Sequence, residues 1–223
     1  MIGVKVGEKY FAVDVERDIV EPRHRVTEII NPGAIPDSMA KYLIRGTRVH
    51  QWTEFLDVYG LTVGEAMKSA NFPREEYPDL WSYLLGWEKY KRQAMDWFDE
   101  VLCEKLLCAE GIPYAGTADR IGILRGQGFR VIDIKTTTQQ RPGRSAKHLM
   151  QLGTYAHLYQ MLNPTENILG GGIVYLRPDA DAFVVDYSPK ELVSGYGKFQ
   201  VAWESFKQEL NEGEDDGMAE SGE

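Results

Sequence analysis

The sequence predicts a single α/β (α+β) domain, and three observations predict it. The chain has 223 residues, 43% of them hydrophobic and 26% charged, enough for one well-buried core and short of two ordinary domains. Its hydrophobic periodicity runs in a defined order: helices, a strand meander, a helix, two strands and a closing helix. Neither an internal repeat nor a linker interrupts that order.

Ile2–Val6 and Lys9–Val15 alternate apolar and polar residues around Gly7-Glu8, the pattern of a β-hairpin. Val26–Ile30 is a short apolar segment ahead of the turn Asn31-Pro32-Gly33. Pro36 is placed to open a helix through Met39, Leu43 and Ile44. Gly46 interrupts, and Val49, Trp52, Phe55, Leu56 and Tyr59 then recur at helical spacing up to Gly60. Asn71–Pro78 reads as a loop and Leu80–Phe98 as a long amphipathic helix. After Asp99 the period changes. Val101–Cys108, Tyr114–Leu124 and Phe129–Lys135 read as strands, the last two joined by a turn at Arg125-Gly126-Gln127-Gly128. A polar loop, Thr136–Arg144, precedes a helix over Ser145–Leu162, which Asn163-Pro164 stops. Ile168–Leu176 and Ala182–Tyr187 are two further strands, and Pro189–Leu210 is the closing helix.

Composition narrows the function classes. No apolar run reaches the ~20 residues that span a bilayer, and the charged N-terminus is not a signal peptide, so a cytoplasmic location is expected. Cys103 and Cys108 cannot build a disulfide framework or a four-cysteine metal site. The net charge of −9 argues at first against a nucleic-acid partner, but its distribution argues for one. Beyond Lys207 there are seven acids and no Lys or Arg, leaving 25 basic against 27 acidic residues elsewhere. Asn211–Glu223 therefore reads as a solvated, disordered acidic tail behind a domain over 1–210. Between Arg120 and Lys147 seven basic residues accompany one acid, Asp133, a local excess suited to phosphates.

The chemistry concentrates on the strand pair around Asp119 and Asp133. Residues two apart on a strand share a face, so Asp133 and Lys135 project together, and hairpin pairing brings Asp119 beside them. Carboxylate oxygens suit Mg²⁺ or Mn²⁺. A lysine beside such an ion can orient water or help remove its proton. By itself, Asp-x-Lys equally describes a cross-strand ion pair that contributes little.

Five short motifs occur in order: Gly46-Thr47-Arg48-Val49-His50, Glu104, Gly116-Thr117-Ala118-Asp119, Asp133-Ile134-Lys135-Thr136 and Gln151-Leu152-Gly153-Thr154-Tyr155. The ordered set resembles the PD-(D/E)XK nuclease superfamily, and within it the RecB-type and phage-exonuclease branch. The resemblance implies a restriction-endonuclease-like core, a mixed central sheet flanked by helices, with the hairpin over 1–16 as an appendage. It implies Asp119, Asp133, the Ile134 carbonyl, His50 and Glu104 as metal ligands, and Lys135, Asp133, Asp119, Gln151 and Tyr155 as catalytic residues. Arg45, Arg48, Arg141, Arg144, Lys147 and His148 border these positions and are candidate contacts to the DNA backbone. Trp81, Trp87 and Trp97 read as core. Some relatives hold an iron–sulfur cluster on four cysteines; two cannot do so, and none is expected.

The expected activity is a Mg²⁺-dependent DNA exonuclease, with Mn²⁺ as a substitute, acting in phage or bacterial recombination, repair or replication. DNA is the expected partner, with a strand-annealing or recombination protein as a second and the oligomeric state open. The rivals are a structure- or site-specific endonuclease, a non-catalytic DNA-binding protein on the same fold, and an unrelated protein that binds through its acidic tail.

Overall fold

Strand β6 (Gly128–Thr136) organises the architecture because it is apolar on both sides. Phe129 and Val131 enter one hydrophobic cluster, and Ile132 and Ile134 enter another on the opposite face. A strand buried on both faces needs a layer of helices on each. The computed structural model describes residues 2–14, 19–33, 38, 40–68 and 78–219. Within them β1 (Ile2–Val6), β2 (Lys9–Asp14), β3 (Ile19–Arg25), β4 (Glu100–Leu107), β5 (Tyr114–Leu124), β6, β7 (Ile168–Leu176) and β8 (Ala182–Tyr187) form one sheet. Its order is β1-β2-β3-β5-β6-β7-β8, with β4 also paired to β5. β3–β5 and β6–β7 are parallel and the other pairs antiparallel, so the sheet is mixed, as expected.

One face is covered by α1 (Val26–Ile30), α5 (Ala146–Leu162) and α6 (Pro189–Ala219), the other by α2 (Ala40–Val58), α3 (Val63–Ala66) and α4 (Leu80–Tyr90). Helix α5 makes the crossover between parallel β6 and β7 and is capped by the Ser145 side chain, which accepts from the His148 N–H at 3.5 Å. It packs closely on α6. A Cβ on Gly153 would lie 2.4 Å from the Leu192 carbonyl oxygen, and one on Gly195 2.4 Å from that of Leu149.

The expected hairpin is present, turning at Gly7-Glu8, and β7, β8 and β5 keep their expected bounds. Four features add to or differ from the sequence reading. Val26–Ile30 is a helical turn. Helix α2 runs uninterrupted through Gly46, while Pro36 lies outside the described residues. Helix α4 stops at Tyr90 and gives way to a π turn, Lys91–Met95; that turn carries Lys91 inward to Asp57. Helix α6 continues past Leu210 to Ala219, into the acidic segment. No helix among the described residues is long and apolar enough to cross a membrane.

Candidate active site

The site lies where the β5–β6 ladder stops. Regular pairing reaches Arg120↔Ile132; one step further Asp119 would face Asp133. Instead Asp119 Oδ2 accepts the Ile134 N–H at 2.6 Å, so a carboxylate takes the place of a backbone carbonyl and satisfies a buried donor. The contact of Ile134 with Asp119 is thus through its N–H. The other Asp119 oxygen lies 3.4 Å from Nδ1 of His50 on α2.

Glu104 completes this half of the site. On β4, Cys103 pairs with Arg120 and Lys105 with Ala118, which sets Glu104 level with Asp119. Its φ of 44° places a non-glycine residue in the left-handed region, a strain of about 1–3 kcal/mol that the surrounding structure must hold. Ligand-capable atoms of His50, Glu104 and Asp119 all lie within 4.8 Å of one another. Glu104 Oε1 is buried and makes no hydrogen bond. An orphaned acceptor beside a carboxylate and an imidazole fits a divalent cation that prefers oxygen and nitrogen donors.

The second half is closed on itself. Asp133 Oδ2 meets Lys135 Nζ at 2.7 Å, and Asp133 Oδ1 accepts from Gln151 Nε2 at 3.0 Å. The same amide lies 3.3 Å from the Tyr155 hydroxyl. Gln151 and Tyr155 are one turn apart on α5, which aims both side chains at one spot. Gly116 makes room: a Cβ there would stand 2.5 Å from Tyr155 Cε1. The glycine three positions before Asp119 is thus explained by the tyrosine that lies on it.

Electrostatics separates the two aspartates. Burial opposes ionisation of Asp119, but His50, Lys135 and the Ile134 N–H outweigh it and hold its carboxyl below the usual range. Burial pushes Asp133 upward against the pull of Lys135, aided by the Asp119 charge. Glu104 is raised to about 7, first by burial and then by Asp119. Burial disfavours charged His50 and Lys135, yet their aspartate partners keep both raised.

The remaining expected residues are distributed unevenly. Arg141 is exposed. Arg48 is exposed and donates to Gln51 at 3.1 Å. Arg45 lies over the rings of Tyr42 and Tyr83 at 5.4 and 5.3 Å. Arg144 is engaged by Glu191 and donates to the Asp186 carbonyl at 2.6 Å, while Lys147 donates to Asn31 at 2.6 Å. His148 Nδ1 is 2.8 Å from the Tyr175 hydroxyl, and burial followed by the Lys135 charge lowers its pKa to about 4. Of the three tryptophans expected in the core only Trp87 is there; Trp81 is 41% and Trp97 77% exposed.

Sequence reasoning missed three neighbours of the site. Tyr175 is the register partner of Lys135 across β6–β7. Tyr10 of the N-terminal hairpin reaches Thr117, two residues before Asp119, with the hydroxyls 3.1 Å apart. Arg120 is fully buried; its place directly after Asp119 was the only available signal.

No curated protein matches the sequence. A solved structure titled "Crystal structure of SSO0001" is similar at 18% identity with a TM-score of 0.36, over 79% of this chain and 74% of that one. The family model of the PD-(D/E)XK nuclease superfamily matches residues 23–220. The match spans every element that builds the site, and the chain belongs to the PD-(D/E)XK nuclease superfamily.

Proposed function

We propose that this protein is a Mg²⁺-dependent DNA exonuclease that hydrolyses phosphodiester bonds from DNA ends, in phage or bacterial recombination, repair or replication. One observation carries the reading: the cluster of His50, Glu104 and Asp119 beside the strand that holds the Asp133–Lys135 ion pair. His50, Glu104 and Asp119 would hold the cation, with Asp133 and the Ile134 carbonyl as further oxygen donors. Bound there, a divalent cation supplies Lewis-acid stabilisation of a phosphoryl oxygen and lowers the pKa of water.

The chain's own residues supply position and charge. Lys135 holds the attacking water and offsets charge developing on the phosphate. Asp133 fixes the Lys135 ammonium at 2.7 Å, and Gln151, bonded to Asp133 and in reach of Tyr155, fixes Asp133 in turn. Arg48 and Arg141, both exposed, are candidates for backbone phosphates, while Arg144, Lys147 and His148 are engaged by Glu191, Asn31 and Tyr175.

The test is degradation of linear and closed circular DNA with Mg²⁺, wild type beside Lys135→Ala. Loss of linear DNA alone, slowed about 10²- to 10⁴-fold in the variant, supports the proposal. Cutting of the circle would make the enzyme an endonuclease. Equal rates for both proteins would place the chemistry elsewhere.

A further inference from the structure

Behind the cluster of possible ligands lies a second group of charges, built around an arginine with no access to solvent. Arg120 is fully buried on β5. Its Nε donates to Asp57 Oδ2 at 2.7 Å, its Nη1 donates to the Asp119 carbonyl at 2.6 Å, and Nη1 lies 3.7 Å from Glu104 Oε1. Its guanidinium sits over the Trp87 ring at 5.3 Å. Asp57, near the end of α2, is held by two further donors: Lys91 Nζ at 2.6 Å and Trp87 Nε1 at 3.1 Å from each oxygen.

We propose that Arg120 is a positioning residue for cation binding, a guanidinium anchored by Asp57 that fixes the backbone of Asp119 by a hydrogen bond and draws the carboxylate of Glu104 by charge into the arrangement a metal requires. The inference rests on the reading of His50, Glu104 and Asp119 as the metal site.

The reasons are geometric. Burying a charged pair is expensive, and replacing it by apolar residues often costs no stability, so stability alone is a poor account of Arg120. What distinguishes it is its set of partners. A planar guanidinium can serve a carboxylate, a carbonyl and a second carboxylate at fixed angles, which a lysine ammonium cannot. Two of those partners belong to ligand-bearing residues, and one of them, Glu104, has a backbone at φ 44° where the β4–β5 register skips it between Cys103 and Lys105. The π turn at Lys91–Met95 fits the same account, since it is the segment that delivers Lys91 to Asp57. Groups that orient metal ligands typically contribute 10- to 100-fold in metal affinity.

The experiment is calorimetric titration of the full chain with Mn²⁺, comparing wild type, Arg120→Lys, Arg120→Met and Asp57→Asn. Circular dichroism and the unfolding midpoint establish that each variant is folded. We expect Mn²⁺ binding weakened about tenfold or more in Arg120→Lys and in Asp57→Asn. Arg120→Lys keeps the charge, so a loss there reports geometry. Unchanged affinity in folded Arg120→Lys, with tighter binding in Arg120→Met, would mean that Arg120 acts only as a nearby positive charge and would overturn the proposal. Should the arginine variants not fold, Asp57→Asn decides: unchanged affinity there overturns it too. Failure of wild type to bind Mn²⁺, or binding unaffected by His50→Ala, would overturn the metal-site reading itself and this inference with it.

Discussion

Asp119 and Asp133 would face each other if β5 and β6 paired one step further, yet they are surrounded differently. Asp119 shares its edge of the site with His50 and with a glutamate whose Oε1 has no hydrogen bond. Asp133 has one oxygen on Lys135 and the other on Gln151. The Glu104 oxygen has the Arg120 guanidinium at 3.7 Å, whereas Asp133 holds an ammonium of the protein's own in an ion pair at 2.7 Å. On the proposed reading, one half supplies the three clustered ligands, and the other aims Lys135 while offering Asp133 as a further donor. The same residue type takes both parts because its neighbours differ, not its position on a strand.

The strongest way to break that contrast is to loosen the closed half. Gln151→Ala removes the only bond to Asp133 Oδ1 that a side chain supplies from α5. Nuclease activity should fall about 10- to 100-fold while Mn²⁺ affinity changes much less; steady-state rates beside calorimetry check this. A comparable fall in Mn²⁺ affinity would mean that the two halves are one unit.

A smaller effect comes from crowding the closed half. In Gly116→Ala the new methyl would meet the Tyr155 ring at 2.5 Å, an overpacking that should cost about 1–3 kcal/mol in denaturant unfolding. Activity should fall as well, through displacement of the tyrosine that lies beside Gln151.

The smallest is a pH effect confined to the open half. Glu104 has its carboxyl raised from 4.5 to about 7, so its protonated form suits the fold. Its contribution to stability is complete below about pH 4.5 and is lost as pH rises through about 7. Asp119 has the opposite sign, lowered in the fold, and its contribution disappears only on strong acidification. Mn²⁺ should therefore bind more tightly above pH 7 than at pH 6, with proton release from both Glu104 and His50, whose pKa is also raised. Calorimetry in buffers of different ionisation enthalpy measures those protons, and metal should restore the stability lost above pH 7.

Much of this was legible in the residues. Strand period and turn chemistry mark β5, β6, β7 and β8, because each is an alternating or apolar run bounded by glycine, proline or asparagine. The closeness of Asp119 to Asp133 and of Gln151 to Tyr155 follows from strand and helix spacing alone. What could not be read depends on contacts between distant segments. Asp57 and Arg120 lie 63 positions apart, and neither has a local pattern that announces its partner. Leu80–Phe98 has helical periodicity throughout, yet a partly buried attraction between Lys91 and Asp57 accompanies the break into a π turn. Arg144 and Lys147 read as a basic run, but their fates depend on Glu191 and Asn31, supplied by segments far away in sequence. Trp97 is apolar by type and 77% exposed by position, since it follows the end of the helix that would have turned it inward.

The place where β5 and β6 stop pairing has a consequence for how this protein can change. Extending the ladder past Arg120↔Ile132 would return the Ile134 N–H to a backbone partner and release the Asp119 carboxylate from it. On the proposed function, replacing the buried acids by apolar strand formers should then raise thermal resistance and extinguish activity in one step. Selection for heat tolerance alone would drift toward such inert, sturdier sheets, whereas selection that also demands turnover keeps the gap open. The interrupted ladder thus marks where durability and activity pull the sequence in opposite directions.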